Sequence, residues 1–265
     1  MPSVDAYLRR LRLAQAPPAT FVGLRELHRR HLLTLPFENL DIALGRPLDL
    51  SLSALHTKLV ERRRGGFCYE LNGLFAWLLE QLGFSPERLS GRVFGAEGRG
   101  PEFDHLLLRV ELEGQPWIAD VGFGDSFVEP LPLTPDVETR QGGARFRLRQ
   151  VESGWRLERR TDGDWEAQYD FTTTPRSLGD FEPMCRYQET SPRSAFTRKA
   201  VCSRLSEQGR LTLSNDRWIR TTANGRSEER VPDTDTYRRL LAEHFGIELD
   251  PGAQLERLLA PRRSD

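Results

Sequence analysis

Cys68, His105 and Asp120 are the residues of this 265-residue chain whose types and order suit covalent chemistry. Cys68 lies in Arg64-Gly65-Gly66-Phe67-Cys68-Tyr69-Glu70-Leu71-Asn72, where a glycine pair meets the start of a helical pattern. A helix start offers unpaired N–H groups and the positive end of the helix dipole, which favour thiolate over thiol. On that reading the thiolate persists below neutral pH, and the glycines turn the backbone and leave room for a ligand. His105 opens HLLLRVEL, 37 residues further on, and Asp120 ends WIAD another 15 residues along. In that order a cysteine attacks an acyl carbon, a histidine takes and returns the proton, and an aspartate orients the imidazole. Taken alone, the cysteine reads better as a small buried hydrophobe at a helix start. The histidine and aspartate give it a chemical meaning.

Register links the last two. If Glu113-Gly114 is a two-residue hairpin turn, Asp120 falls opposite Leu107, on the same face as His105 and two residues from it. Such a diagonal pair is roughly 7–8 Å apart at the backbone, a gap that an imidazole and a carboxylate bridge. A turn placed one residue later leaves them too far apart. The remaining histidines, His28, His31, His56 and His244, fall on helical patterns beside charges and read as surface or satisfied core positions. Cys185 and Cys202 match no nucleophile motif and read as structural.

The elements that must carry these residues change character along the chain. Helical spacing runs over residues 4–14, 21–33, 51–62 and 69–82, with PFENLDIALGRPLDL (36–50) as an irregular connector. From about residue 89 the period shortens. LSGRVFG, HLLLRVEL, PWIADVGFG, RFRLRQV, GWRLERR and WEAQYDF read as strands. Phe146 and Leu148, with Trp155 and Leu157, face one way and the arginines the other. This is an antiparallel sheet or barrel with one wet face. Beyond Thr174-Pro175 a helix at 177–189, short strands at 199–205, 209–214 and 217–222, and helices at 234–245 and 251–259 are expected. No flexible linker separates these parts, so they pack as one body.

Composition narrows the partners. The formal charge is −1, which implies neither nucleic acid nor membrane. Three scattered cysteines make no disulfide framework and point to a reducing, cytoplasmic setting. The N-terminus lacks a signal-peptide pattern, and no apolar run is long enough to span a bilayer. No cysteine or histidine pair has metal-ligand spacing, so no metal is expected. Arg62-Arg63-Arg64 is the densest charge run and reads mostly as solvated surface.

At these residues the sequence closely resembles the arylamine N-acetyltransferases. The resemblance rests on Arg64-Gly65-Gly66-Phe67-Cys68-Tyr69-Glu70-Leu71-Asn72, on Pro36-Phe37-Glu38-Asn39, on His105-Leu106-Leu107-Leu108, on Asp120-Val121-Gly122-Phe123-Gly124 and on SPRSAF at 191–196. These run in order from about residue 20 to 215. The resemblance implies an α+β fold: a helical bundle (1–84) carrying the cysteine, an antiparallel β-barrel (85–175) carrying His105 and Asp120, and an α/β lid (176–265). It implies ping-pong transfer of an acetyl group from acetyl-CoA, through an acetyl-Cys68 thioester, to an arylamine, arylhydrazine or N-hydroxyarylamine. Acetyl-CoA is then a cosubstrate, and no cofactor is permanently bound. Phe37 and Phe123 become walls of the acceptor pocket. Arg64, Glu70 and Asn72 become supports, with a buried Arg64–Glu70 interaction bracing the loop. The Cys68 N–H is a candidate oxyanion donor. A homodimer is compatible with this reading.

One segment departs from the family pattern. Pro101-Glu102-Phe103-Asp104 precedes the histidine where many relatives carry threonine or glycine, and its two acids would repel a phosphate. Arg92, Arg99, Arg217 and Arg220 are alternative phosphate contacts. GRVFGAEGRG (91–100) lacks the GK[ST] ending of a P-loop. A papain-type protease would put its histidine roughly 130–150 residues downstream. A transglutaminase-like cysteine acyltransferase, an amide synthase of polyketide release, and a vestigial acyl-CoA or aromatic-ligand binder are the rival readings.

Overall fold

The computed structural model describes residues 1–259; residues 260–265, the end of the expected 176–265 unit, lie outside the described residues. The first part contains α1 (Val4–Arg10), α2 (Phe21–Thr34), α3 (Leu40–Leu44), α4 (Leu52–His56) and α5 (Cys68–Gln81). Ser3, Thr20 and Ser51 cap α1, α2 and α4 by accepting backbone N–H bonds. The helix expected over 51–62 is α-helical only to His56, then runs on as a π-helical turn, Thr57–Glu61. α5 is buried almost all round, with Tyr69, Leu71, Leu74, Phe75 and Leu78 inaccessible. A helix that apolar is a core helix.

The connector at 36–50 is more ordered than expected, because it holds β1 (Phe37–Glu38) as well as α3. β1 is a strand through its pairing with distant residues, Phe37 with Ser203 and Glu38 with Cys202, and through a parallel bridge from Phe37 to Gly66. Two residues leave no periodicity to read.

The middle part is a nine-stranded antiparallel sheet. Its strands are β2 (Pro86–Gly95), β3 (Gly98–Arg99), β4 (His105–Leu112), β5 (Gln115–Ala119), β6 (Leu131–Pro132), β7 (Thr139–Gln141), β8 (Ala144–Val151), β9 (Gly154–Arg160) and β10 (Glu166–Phe171). The order is β6-β5-β4-β2-β10-β9-β8-β7, with β3 on β2. A bridge between Pro135 and Leu148 draws the two ends together into a near-closed barrel. Leu107, Ile118, Phe146, Leu148, Leu157 and Tyr169 fill it. The alternate residues of β4, namely Leu106, Leu108 and Val110, pack outward onto the helical core with α5. Burial on both faces explains the unbroken HLLL run. The β4–β5 hairpin has the expected register, Leu112 opposite Gln115 and Leu108 opposite Ala119. Its turn has φ of 54° at Glu113 and 77° at Gly114, the two positive values of a type I′ turn.

The last part comprises α6 (Glu182–Thr190), α7 (Ala195–Arg198), β11 (Val201–Ser206), β12 (Gly209–Ser214), β13 (Arg217–Thr222), β14 (Gly225–Arg230), α8 (Thr234–Leu240) and α9 (Glu256–Leu259). Its sheet order is β1-β11-β12-β13-β14. β14, GRSEER, is wholly exposed and has no apolar alternation, so the sequence pattern does not disclose it. Its charges block further pairing at the open edge. Leu40 and Ala43 of α3 share a core with Cys202, Trp218, Tyr237, Phe245 and Leu258. Among the described residues no helix is long and apolar enough to cross a membrane.

His28 ties α2 to the barrel. Its Nδ1 donates to the Val128 carbonyl at 2.8 Å, and its Nε2 accepts the Asp120 N–H at 3.0 Å. Burial, only partly offset by the Val128 bond and the Asp120 charge, pulls the imidazole down to about 4. The folded state therefore resists a proton that the unfolded chain takes up near pH 6.5. Stability should fall as pH drops from about 6.5 to about 4, and level off below. At ~1.4 kcal/mol per unit this one group accounts for at most about 3 kcal/mol. Urea midpoints across pH 7.5 to 4 measure it, and a His28→Asn variant should show a shallower slope.

Candidate active site

Cys68 is the first residue of α5, 3% exposed, with Phe67 as N-cap. Phenylalanine has no capping oxygen, so Glu70 reaches back and its Oε2 accepts the Phe67 N–H at 3.1 Å. The preceding glycines leave space for the protein itself, not for a ligand. A Cβ on Gly65 would lie 2.0 Å from the Pro36 carbonyl oxygen, and one on Gly66 would lie 2.7 Å from Glu70 Oε2. Gly66 is paired on both sides of its peptide to the Pro36–Glu38 segment.

The expected Arg64–Glu70 interaction is not formed. Arg64, the buried member of the arginine run expected at the surface, donates to Glu38 at 2.9 Å and to Asp41 at 3.1 Å. Glu70 is met instead by Lys58 at 2.7 Å, and Lys58 also reaches Asp41 at 2.8 Å. Asp41 thus joins two cations into a chain from Glu38 to Glu70. Burial opposes the Lys58 charge, yet Glu70, Glu38 and Asp41 hold its proton well above the usual lysine range. Lys58 sits on the π-helical turn, whose register change no sequence period reports.

Asp120 is 1% exposed and collects four donors. His105 Nε2 lies 2.7 Å and the Tyr169 hydroxyl 3.0 Å from Oδ2. Asn72 Nδ2 at 2.9 Å and the Gly122 N–H at 3.0 Å meet Oδ1. Burial alone would raise the Asp120 carboxyl, but His105 and these donors hold it below the usual carboxylate range. An ionised carboxylate only accepts, so His105 carries its proton on Nε2 and keeps Nδ1 as a base. Asn72 also donates to the Leu106 carbonyl and accepts the Val121 N–H, clamping α5 to both hairpin strands. Gly122 lets its turn pack against the nucleophile position, because a Cβ there would sit 2.7 Å from the Cys68 Cα.

Cys68 and His105 line one cavity of about 800 Å³ together with Phe37, Gly122, Phe123, Tyr187 and Phe196. Phe123 meets the His105 ring edge-on at 5.2 Å, and Phe37 faces Phe196 at 6.2 Å. Burial pushes the Cys68 thiol well up, as do the charges of Asp104 and Asp120, against a lowering bond from the Leu106 backbone. The helix start alone therefore does not supply the thiolate expected below neutrality; a base must. Arg92, Arg217 and Arg220 lie away from the cavity wall and pair with Glu102, Asp216 and Glu229. Arg99 reaches the wall but is paired with Asp170. Among the described residues no group of three metal-ligating side chains converges.

Sequence reasoning missed Tyr169, Lys58 and Asp41, none of which stands in a quoted motif, whereas Phe196 closes SPRSAF and His28 is a satisfied core histidine, one of the two readings offered for it. Glu38 and Asn39 carried a signal, two polar residues inside PFEN. Asn39 holds the lid segment by donating to the Phe196 and Lys199 carbonyls and accepting the Val201 N–H.

The family model described as N-acetyltransferase matches residues 20–254. The arylamine N-acetyltransferase / N-hydroxyarylamine O-acetyltransferase of Salmonella typhimurium is 36% identical over 248 residues, 92% of this chain and 88% of that protein. The proansamycin X synthase of Amycolatopsis mediterranei is 33% identical over 90% of this chain and 95% of its own. The solved structure of Mycobacterium marinum arylamine N-acetyltransferase in complex with CoA superposes with a TM-score of 0.86 at 32% identity, covering 92% of this chain and 93% of that one. These matches define an acyl-transferring enzyme. Within that class, the chain belongs to the arylamine N-acetyltransferase family.

Removing the Arg64 cation should strand the buried Glu38 carboxylate, since Asp41 keeps Lys58. Arg64→Met is expected to cost about 3–5 kcal/mol, read as a lowered urea midpoint. A loss below ~1 kcal/mol would show that the ionic chain does not brace the nucleophile loop.

Proposed function

We propose that this enzyme moves an acetyl group from acetyl-CoA to the nitrogen of an arylamine, arylhydrazine or N-hydroxyarylamine, by way of an acetyl-Cys68 thioester. One observation carries the assignment: a His105–Asp120 pair at 2.7 Å opens onto the same cavity as a cysteine at a helix start. In the first half-reaction Nδ1 of His105 takes the Cys68 proton, and sulfur attacks the acetyl carbon. The bond to the CoA sulfur breaks, and the proton goes to that sulfur. In the second, the amine nitrogen attacks the thioester, its proton passes to His105, and the Cys68 thiol is restored. Asp120 keeps His105 in the Nε2–H tautomer and stabilises the imidazolium; Asn72, Tyr169 and the Gly122 N–H hold Asp120. The Cys68 N–H, at the first turn of α5, is the oxyanion donor this reading needs.

Phe37 and Phe123 flank the cysteine and histidine as flat apolar walls, suited to an aromatic acceptor. Arg64 and Glu70 act through the ionic chain, not on substrate. The CoA-bound relative supports acetyl-CoA as the donor. All three cysteines are free, which supports a reducing, cytoplasmic setting. The match to a proansamycin synthase favours one second reading, amide formation on a larger acyl chain through the same cysteine.

Mixing the enzyme with acetyl-CoA and no acceptor should add one acetyl mass to Cys68, removed on adding an aniline or hydrazide. Intact mass spectrometry with peptide mapping reads it, and Cys68→Ala should take up none. A folded, alkylatable enzyme that gains no adduct would overturn the donor assignment and favour the longer acyl chain. His105→Gln should shift the pH dependence of Cys68 alkylation upward from wild type, because the buried thiol loses its proton acceptor. Coincident profiles would remove His105 from its role.

A further inference from the structure

The two acids of the segment that departs from the family pattern have different fates. Glu102 lies off the cavity wall and is neutralised by Arg176 at 2.7 Å, with Arg92 at 3.6 Å. Asp104 lies on the wall, one residue before His105, and among the described residues no cation stands within ion-pairing distance of it. Its backbone is pinned, since the Tyr69 hydroxyl donates to the Phe103 carbonyl at 2.7 Å and lies 3.3 Å from that of Asp104.

Its side chain is held by a backbone bond at Val93 and by a neutral side-chain relay. Gln188 Nε2 donates to Asp104 Oδ1 at 2.8 Å. Ser194 donates its hydroxyl to the other end of the Gln188 amide, which fixes that amide with its NH2 group toward Asp104. Ser194 in turn accepts the Phe196 N–H at 3.1 Å. One of the aromatic walls is thus wired to a half-buried carboxylate, which burial raises above the ordinary aspartate range against the pull of His105, a backbone bond at Val93 and Gln188. Its charge is felt at the nucleophile, where, after burial, it is the larger of the two carboxylate influences pushing the Cys68 thiol up. The other charged side chains on the wall are Glu97, Arg99, Arg193 and Arg198, with Arg193 and Arg198 on the lid side around α7. The cavity is therefore polarised, anionic beside the reacting pair and cationic along its lid.

We propose that Asp104 sets the acceptor selectivity of this cavity. It favours amines with a further N–H donor, such as hydrazides, and disfavours amines that carry a carboxylate. The assignment rests on the acyl-transfer reading for acceptors, but its effect on charge at Cys68 does not. A carboxylate that must share the cavity with Asp104 at several ångströms in a partly wet setting pays roughly tenfold in rate.

Two measurements test it. The first compares kcat/KM for 4-aminobenzoate, aniline and benzhydrazide in wild type and Asp104→Asn, which keeps an oxygen for Gln188. The aminobenzoate-to-aniline ratio should rise about tenfold in the variant, and the benzhydrazide-to-aniline ratio should fall. Glu102→Gln, off the cavity wall, should leave both ratios within about twofold. The second compares Cys68 alkylation by iodoacetate and iodoacetamide, which needs no acyl donor. The iodoacetate-to-iodoacetamide ratio should rise about tenfold in Asp104→Asn and less at high salt. Unchanged ratios in Asp104→Asn, or equal shifts in Glu102→Gln, overturn the proposal. A wild type that takes no acetyl from acetyl-CoA overturns the acyl-transfer reading instead, and the alkylation ratio still decides the role of Asp104.

Discussion

The carboxylate of Asp120 is the point on which the molecule closes. It receives a helix through Asn72, a neighbouring strand through His105, the far side of the barrel through Tyr169 and its own turn through Gly122. Its backbone N–H is taken by His28 of α2. A buried charge is tolerable only when its lone pairs are filled, so each donor must arrive in place for the others to be worth having. The same filling keeps the carboxylate ionised, which fixes the histidine tautomer. Here a requirement of folding and a requirement of chemistry fall on one group.

Much of this was legible because it is local or periodic. The apolar spacing of Leu71 to Leu82 marks α5, and the Gly83 stop marks its end. The Glu113-Gly114 turn sets a hairpin register that puts His105 beside Asp120, and the structure has that register. What escaped reading depends on contacts between distant residues. Tyr169 is one aromatic among many in a strand and gains its part only when β10 pairs with β2. Arg64 was assigned the wrong acid because sequence proximity favours Glu70, whereas the fold brings Glu38 and Asp41 to it. Lys58 reaches Glu70 from a π-helical turn that displaces it from α-helical spacing.

Electrostatics around the nucleophile are arranged against one another. Burial and two carboxylates push the cysteine thiol up, while the His105 imidazole, held by Asp120, opens onto the same cavity. A thiol that ionises only in concert with its base is shielded from stray oxidants and alkylators.

The pairing of β1 with β11 has a consequence for the order of assembly. Cys68, His105 and Asp120 have all been made by residue 120, yet the strand beside the Gly65-Gly66 loop waits for Ser203 and Cys202 to complete its ladder. Leu40 and Ala43 wait longer, for core partners as late as Leu258. On the ribosome, the part of the chain around Cys68 must therefore remain unfinished until residues as late as Leu258 have emerged. A prematurely terminated product would carry the cysteine without the lid-side wall of the cavity, and with an unpaired strand edge where that wall belongs.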